Sequence, residues 1–176
     1  MIKVAQGDPE FLARIIEFRQ ASFRRSRRDP GHAEAWSTDR YDATATHFAL
    51  LDGSGGIQAA VRMTLDGRWP IEDRLGLDID TSRGVELGRL AVGPRYLRDR
   101  RTLYELMAEA CRYCIGSGRP HVYGLMIAPF RRSLERDGIP LEVLSPSVVA
   151  YGMESAVVHL DARRLLEVYG ARSAAA

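Results

Sequence analysis

The chain has 176 residues, of which 45% are hydrophobic and 27% are charged, with a formal net charge of +2. These values suit one compact domain, residues 1–176, and leave no comfortable room for a second. No apolar run approaches the roughly 20 residues that cross a bilayer, and the start lacks a basic-then-apolar signal pattern, so we expect a cytoplasmic protein with no membrane span.

Arginine carries almost all of the positive charge, because Lys3 is the only lysine. Arginines cluster in the segments 24–28 and 95–101. Such clusters suit phosphate, nucleic acid or an acidic protein surface, although the first one alone is more typical of a solvated surface. We expect no nucleic-acid partner, since the chain shows neither a recognition-helix pattern nor interleaved stacking aromatics.

Neither the cysteines nor the histidines show the spacing of a metal site. Cys111 and Cys114 lie three positions apart with no second pair, in a stretch expected to pack as a helix on the sheet. The 4 histidines are scattered, with no pattern of a metal cage or a catalytic triad. The sequence therefore predicts no metal site and two inert thiols.

The first half of the chain predicts a helix, a long loop and a hairpin. Asp8 followed by Pro9 is a good helix start, and apolar residues recur at near-helical spacing from residue 9 to about 24. Residues 25–45 are polar and are predicted to form a loop. The apolar segments 47–51 and 57–64 flank a glycine-rich turn and predict the two strands of a hairpin.

The second half predicts alternating strands and helices. Residues 66–83 look irregular, and 85–92 form a buried strand in which Gly88 is expected to mark a bulge. Thr102 and Glu105 form a capping-box pattern that opens a helix to about residue 115. The remaining predicted elements are a strand at 121–126, a short helix at 129–136, strands at 141–144 and 156–160, and a last helix at 162–168.

Charges placed along the middle of the chain are its most informative feature. Arg62 lies in one apolar strand, and Glu86 and Arg89 lie in the next. A charge in such a place loses its hydration unless it gains a partner or takes part in chemistry. Asp39 and Asp42, in the preceding loop, complete the set; for Asp42, capping the turn into the next strand is the simpler interpretation.

The segment between strand 85–92 and the following helix is a candidate phosphate site. Free amide groups at a helix start attract anions, and guanidinium groups grip two oxygens at once. The residues that we assign to this site are Arg95, Arg98, Arg100, Arg101 and Thr102.

The order of elements describes an α+β chain with one mixed, mostly antiparallel sheet, and it resembles the GCN5-related N-acetyltransferase fold. The resemblance implies a central splayed strand, flanking helices, and an acyl-pantetheine arm in the gap with its phosphates at the next helix. It also implies oxyanion donors on the backbone of Leu90, Ala91 and Val92, and an acyl pocket near Gly124 and Leu125.

The segment 93–101 has arginines where that fold usually has glycines. This departure favours the phosphopantetheine of an acyl carrier protein as donor over coenzyme A, and the acidic surface of a carrier would explain the excess arginine. No covalently bound cofactor is expected.

The charged set narrows the resemblance. Its order is similar to that in acyl-homoserine-lactone synthases, which make autoinducers of the quorum-sensing type, and the similarity covers roughly residues 12 to 160. The matching positions are Arg19-x-x-x-Phe23, Asp39-x-x-Asp42, Arg62 and Glu86-x-x-Arg89. The resemblance implies N-acyl transfer from a carrier thioester to a primary amine, and a linked network of these acidic and arginine residues.

Such a transfer needs a base, because the acceptor amine enters as an ammonium. Glu86 is the predicted base, acting directly or through water. The alternative role is structural, with Glu86 paired to Arg62 or Arg89 to brace the strands. Asp39 and Asp42 are candidates for binding the acceptor ammonium.

Arg19, Phe23 and Trp36 are the other candidates on the acceptor side. Arg19 and Phe23 lie one helical turn apart, and a core aromatic beside a snorkelling arginine is the simpler interpretation. Lactone synthases have a tryptophan soon after the Arg-x-x-x-Phe pair that helps enclose S-adenosylmethionine, whereas Trp36 lies thirteen positions after Phe23.

Other departures also count against S-adenosylmethionine: residues 68–73 lack the usual following phenylalanine, and the chain is short for the lactone synthases. Related N-acyl amino acid synthases share the same core. We therefore expect a monomeric N-acyl amino acid synthase that joins a long-chain fatty acyl group to a free amino acid, for example tyrosine. The alternatives are a lactone synthase, a generic acyl-CoA N-acetyltransferase and a non-catalytic carrier-binding module.

Overall fold

The computed structural model describes residues 1–25, 38–76, 79, 82–97, 99–150 and 152–174. Eight strands form one sheet in the order β1-β2-β3-β4-β5-β8-β6, with β7 also paired to β8. The strands are β1 (Ile2–Ala5), β2 (Thr46–Leu51), β3 (Ile57–Thr64), β4 (Gly84–Val92), β5 (His121–Ile127), β6 (Glu142–Val143), β7 (Val148–Ala150) and β8 (Met153–Asp161).

Helices flank this sheet on both faces, as expected for an α+β chain. Within the described residues they are α1 (Pro9–Arg25), α2 (Pro70–Leu75), α3 (Arg100–Gly116), α4 (Ala128–Arg136) and α5 (Ala162–Ala174). None of the helices in this part of the chain is long and apolar enough to cross a membrane.

Two layers of core explain why β2 is buried at every position. Phe48 and Leu50 point into the large cluster with α3 and α5. Ala49 and Leu51 point the other way, into the cluster with Phe11 and the rest of α1. Successive side chains of a strand face opposite sides, so a strand that is covered on both faces has no polar alternation.

Three elements were missing from the predicted order: β1, α2 and β7. β1 pairs with β2 at the edge of the sheet, and α2 lies within the segment predicted to be irregular. β7 adds to the outer edge of β8, which is longer than predicted. The predicted fold class is nevertheless confirmed, because every strand pair is antiparallel except β4 with β5.

The parallel pair β4 and β5 separates soon after it begins. Its register joins Gly84, Val85 and Glu86 to residues 121–123 and then stops. At the next position of β5, a Cβ added to Gly124 would lie 2.8 Å from the carbonyl oxygen of Leu87. Only a glycine fits where the two strands part, and beyond this point β4 is a splayed strand, as predicted.

A β-bulge sits on the other edge of β4. The register with β3 shifts between Ala60 and Arg62, so that Ala60 faces Ala91 while Arg62 faces Gly88. The residue with left-handed backbone geometry is Arg89, at φ +57°. The bulge lies next to Gly88, as the sequence suggested, but an arginine rather than the glycine adopts the unusual conformation.

Candidate functional site

A cavity of about 820 Å³ opens where β4 and β5 part. The residues of the separated strands line one side of it, and α1, α2, α3 and α4 each contribute to its walls. Among the predicted site residues, the lining includes Phe23, Arg62, Glu86, Arg89, Leu90, Ala91, Val92, Arg100, Gly124 and Leu125.

Asp39 joins the two arginines of the central strands. Its Oδ1 accepts a hydrogen bond from Arg62 Nη1 at 2.5 Å, and its Oδ2 accepts one from Arg89 Nη2 at 2.5 Å. The bulge explains the second contact, because a bulge re-aims the side chain that it carries. The backbone amide of Tyr41 also donates to Asp39 Oδ1 at 3.0 Å, which fixes the carboxylate in its turn.

Asp42 extends the network to α1. Its Oδ1 lies 2.9 Å from Arg19 Nη2 and 3.3 Å from Arg62 Nη1. Its Oδ2 accepts from the backbone amide of Asp39 at 2.9 Å, so the expected capping role is combined with ion pairing. Arg19 is only 1% exposed, and the prediction of a snorkelling arginine on this helix is wrong. The structure thus brings together Arg19, Asp39, Asp42, Arg62 and Arg89, which we call the arginine network.

The charges of the arginine network stabilise one another. Burial alone would raise the pKa of Asp39, but the guanidinium groups of Arg62 and Arg89 hold it below its ordinary value. For Asp42, burial is likewise outweighed by Arg19, the Asp39 amide and Arg62, so its pKa is also lowered. Both aspartates are therefore carboxylates at neutral pH and act as anions between the arginines.

His47, on β2, borders the arginine network as a neutral imidazole. Its Nε2 donates to the Asp42 carbonyl oxygen at 2.9 Å, which fixes the proton on that nitrogen. Its Nδ1 is buried with no hydrogen-bond partner within the described chain. Burial lowers the pKa of His47, because a protonated ring would lose its hydration, and the positive charges of Arg19 and Arg62 lower it further.

Glu86 is held at the last position where β4 is paired on both edges. Its side chain is 4% exposed, and its Oε2 accepts a hydrogen bond from the backbone amide of Ile71 at 2.9 Å. Its Oε1 lies 3.5 Å from the point where a Cβ on Gly88 would stand, and both residues line the cavity. Asp39 is the carboxylate that the structure shows paired with both Arg62 and Arg89.

The start of α2 is a part of the site that the sequence analysis missed. Pro70 stands at the first turn of this helix, and the Trp69 amide donates to Glu72 Oε2 at 2.6 Å. This geometry aims the Ile71 amide at Glu86. Proline followed two positions later by glutamate is a helix-start signal that would have found this element.

The helix after β4 begins earlier than predicted. Asp99 is its N-cap and accepts from the Arg101 amide at 3.0 Å, and Thr102 Oγ1 donates to Asp99 at 3.0 Å. The predicted capping box at Thr102 is therefore wrong, because Thr102 already lies inside the first turn. An aspartate is the stronger cap, since its carboxylate accepts from both groups.

The arginines of this segment differ in their surroundings. Arg100 borders the cavity and pairs with Asp137 and with Ser133 Oγ, the latter at 3.0 Å. Arg101 forms a surface pair with Glu105 at 2.8 Å, and Arg95 is exposed in the preceding turn. Arg98, like Trp36 on the acceptor side, lies outside the described residues.

Several solved structures have a similar fold over nearly the whole length of this chain. The lactone synthase LasI superposes with a TM-score of 0.78 at 14% identity, covering 97% of this chain and 94% of LasI. BjaI, a coenzyme-A-dependent lactone synthase solved with SAM and isopentyl-CoA, gives 0.76 at 17% identity over 99% of this chain and 89% of BjaI. A putative N-acetyltransferase from Lactobacillus plantarum gives 0.68 at 15% identity over 91% and 97%. No protein-family model matches the sequence, and no match is found among curated proteins.

The chain has the fold of the acyl-homoserine-lactone synthases and N-acyltransferases. The suspected resemblance is thereby confirmed at the level of fold. The chain also spans LasI almost end to end, so the expectation that it is short for lactone synthases is wrong for this synthase.

The two cysteines of α3 are buried away from solvent. Cys111 and Cys114 are both free and fully buried. Burial raises the pKa of Cys114 to about 12, and it raises that of Cys111 further. Both therefore remain thiols at neutral pH. Within the described residues no group of His, Cys, Asp and Glu side chains is arranged to hold a metal ion.

Proposed function

We propose that this protein is an N-acyltransferase that moves a fatty acyl group from a carrier thioester onto the α-amine of an amino acid. The observation that carries the proposal is the cavity between the separated strands, which has Glu86 at the point of separation. A thioester lying along β4 would place its carbonyl group close to this carboxylate.

The acyl chain fits the inner part of the cavity. This part is lined by apolar side chains of β5, β8 and α5, including Val122, Met126, Leu160 and Leu165. Ligand sites typically measure about 300–1,000 Å³, and the cavity falls inside that range. Burial of a hydrocarbon chain there contributes about 0.8 kcal/mol per methylene group, so this wall favours a fatty acyl donor over an acetyl group.

Glu86 is the residue to which we assign the proton transfer. The acceptor arrives as an ammonium and has no lone pair until it gives up a proton. The Ile71 amide holds Oε2 in place and Glu86 lines the cavity, so we assign to this carboxylate the uptake of that proton, directly or through a water molecule. A base on the last doubly paired position of a strand is held by the sheet on both sides.

The thioester carbonyl needs hydrogen-bond donors as its oxygen becomes negative. Leu90, Ala91 and Val92 follow the bulge and line the cavity on the part of β4 that β5 leaves unpaired. We assign the oxyanion donors to this backbone. The amine nitrogen bonds to the carbonyl carbon, the carbon–sulfur bond breaks, and the products are the amide, the carrier thiol and the proton taken up by Glu86.

We place the phosphopantetheine end of the donor at the start of α3. The α3 amide groups attract a phosphate, Arg100 and Arg101 are the first two residues of this helix, and Arg95 lies in the turn before it. A carrier protein with an acidic surface is the partner that such arginines complement. Thr102 is buried against Asp99 and supports the helix start rather than the ligand. We further propose that the enzyme acts in the cytoplasm as a monomer.

Acceptor identity divides two enzyme classes. A free amino acid would make the chain an N-acyl amino acid synthase, whereas S-adenosylmethionine would make it a lactone synthase. The second reading is supported by the similarity to BjaI, whose structure holds SAM, over nearly the full chain. The first is supported by the sequence around Phe23, where the expected tryptophan is absent.

Mass spectrometry of lipid extracts tests the proposal. Cells expressing the native chain, Glu86→Gln or the surface variant Glu109→Gln are compared. Glutamine still accepts the Ile71 hydrogen bond but takes no proton, so we expect product from Glu86→Gln to fall about 10²- to 10⁴-fold while the variant at Glu109 keeps full yield. Fatty-acyl amino acids would identify a synthase of that class, and lactones would identify the alternative. Unchanged product from a folded Glu86→Gln variant would refute the mechanism.

A further inference from the structure

Arg62 presents a hydrogen-bonding edge beside the candidate base, and within the described residues this edge is not used by its ion pairs. Its side chain is 2% exposed, and one nitrogen, Nη1, makes both of its ion pairs, with Asp39 and Asp42. Its Nε is buried and has no hydrogen-bond partner within the described residues. The edge formed by Nε and Nη2 is the one through which a guanidinium group grips a carboxylate with two parallel hydrogen bonds. We propose that Arg62 binds the α-carboxylate of the acceptor.

The position of Arg62 in the sheet supports this assignment. Arg62 faces Gly88 across the β3–β4 pair, and a glycine leaves no side chain between it and the cavity. Thr64 faces Glu86, so Arg62 and Glu86 are diagonal neighbours on one face of the sheet, about 7–8 Å apart at their backbones. An α-amino acid carries its ammonium and carboxylate on the same carbon, and it fits between these two side chains with the amine toward Glu86.

Charge balance supports the same conclusion. In the ion pairs of the arginine network, three guanidinium groups face two carboxylates. When Glu86 accepts a proton from the substrate, the cavity wall that it shares with Arg62 and Arg89 loses a negative charge, and an added anion offsets this loss. A carboxylate on the acceptor supplies that anion, so the group that is recognised also assists the proton transfer.

The inference rests on the proposed function, and it names a chemical class of acceptor rather than one compound. Free amino acids and S-adenosylmethionine both carry an α-carboxylate, and both would use Arg62. A simple amine of equal size would not. This separates the site from that of an enzyme that acylates amines in general.

Matched acceptor pairs test the inference on the purified chain with a fatty-acyl carrier protein as donor. The pairs are tyrosine and tyramine, leucine and 3-methylbutylamine, and S-adenosylmethionine and its decarboxylated form. We expect kcat/KM to be about 10- to 100-fold lower for the decarboxylated member, mainly through KM. Arg62→Lys keeps the positive charge but loses the two parallel hydrogen bonds of a guanidinium group. In this variant the difference in kcat/KM within each pair should shrink. Equal kcat/KM within every active pair would overturn the inference while leaving acyl transfer intact.

A binding measurement separates this failure from failure of the proposed function. The shift in thermal unfolding of the native chain is recorded with each compound at increasing concentration. Stabilisation by the amino acid members alone supports the carboxylate site even if no acceptor is acylated. Equal shifts, or none for any compound, refute it. If Arg62→Lys does not fold, the pairs measured on the native chain decide.

Discussion

Arg89 is the position where backbone strain and charge pairing oppose each other. Its φ of +57° costs a residue with a side chain about 1–2 kcal/mol, which a glycine would not pay. Its guanidinium group is 7% exposed and lies 2.5 Å from Asp39, and breaking a buried pair costs about 3–5 kcal/mol. The change Arg89→Gly removes both effects, so we expect a net destabilisation of about 1–4 kcal/mol.

Urea unfolding followed by circular dichroism measures this balance. The control is Asp39→Asn, which keeps Arg89 in its left-handed conformation but weakens the pairs of Asp39 with both Arg62 and Arg89, so we expect a larger destabilisation than that of Arg89→Gly. In the double variant the loss of stability should be smaller than the sum of the two single losses, because both changes act on one contact. An Arg89→Gly variant as stable as the native chain, or more stable, would refute the reasoning, since strain would then outweigh the pair.

The remaining predictions concern pH, pocket shape and thiols. Burial lowers the pKa of His47 in the folded state, so the unfolded state binds the proton first as the pH falls. We expect the free energy of unfolding to decrease below about pH 6.5 by up to about 1.4 kcal/mol per pH unit, and to decrease less in His47→Gln. Urea unfolding at pH 7.5 and 5.5 measures this difference. A contrary result is equal pH dependence in both proteins. Gly124→Ala would place a Cβ 2.8 Å from the Leu87 carbonyl oxygen. We expect acyl transfer to be at least about 10-fold slower, with an altered acyl-chain preference in the product profile. An unchanged profile and rate would contradict this steric argument. Cys111 and Cys114 should not react with a thiol reagent until urea unfolds the chain. Rapid labelling of the native protein would show that the two thiols are accessible to solvent.

Elements with strong periodic patterns could be predicted from the sequence, and short ones could not. The hairpin of β2 and β3 and the helix α1 were predicted within a residue or so of their bounds. β1 and β7 have four and three residues, too few to show alternation, and they are strands only because β2 and β8 present a free edge. Pairing with a neighbour, rather than local propensity, creates such strands.

The members of the arginine network could be selected from the sequence, but their pairing could not. A charge inside an apolar strand needs a partner, and this argument led to Arg62, Glu86 and Arg89. Which carboxylate pairs with which arginine depends on the bulge. Its residue with left-handed backbone geometry is Arg89, although the neighbouring Gly88 could adopt that geometry more easily. The splayed strand was expected only from the resemblance to a known fold, because residue patterns do not show where the pairing of β4 with β5 stops, after Glu86 and Tyr123.

The arginine network has a consequence for the order of folding. Its ion pairs join residues that are far apart along the chain: Arg19 and Asp42 are separated by 23 positions, and Asp39 and Arg89 by 50. Contacts between distant residues form only after the intervening chain has been closed into loops. We therefore expect the cleft to form in the last steps of folding, so that a half-folded chain does not yet have a site that can bind a ligand.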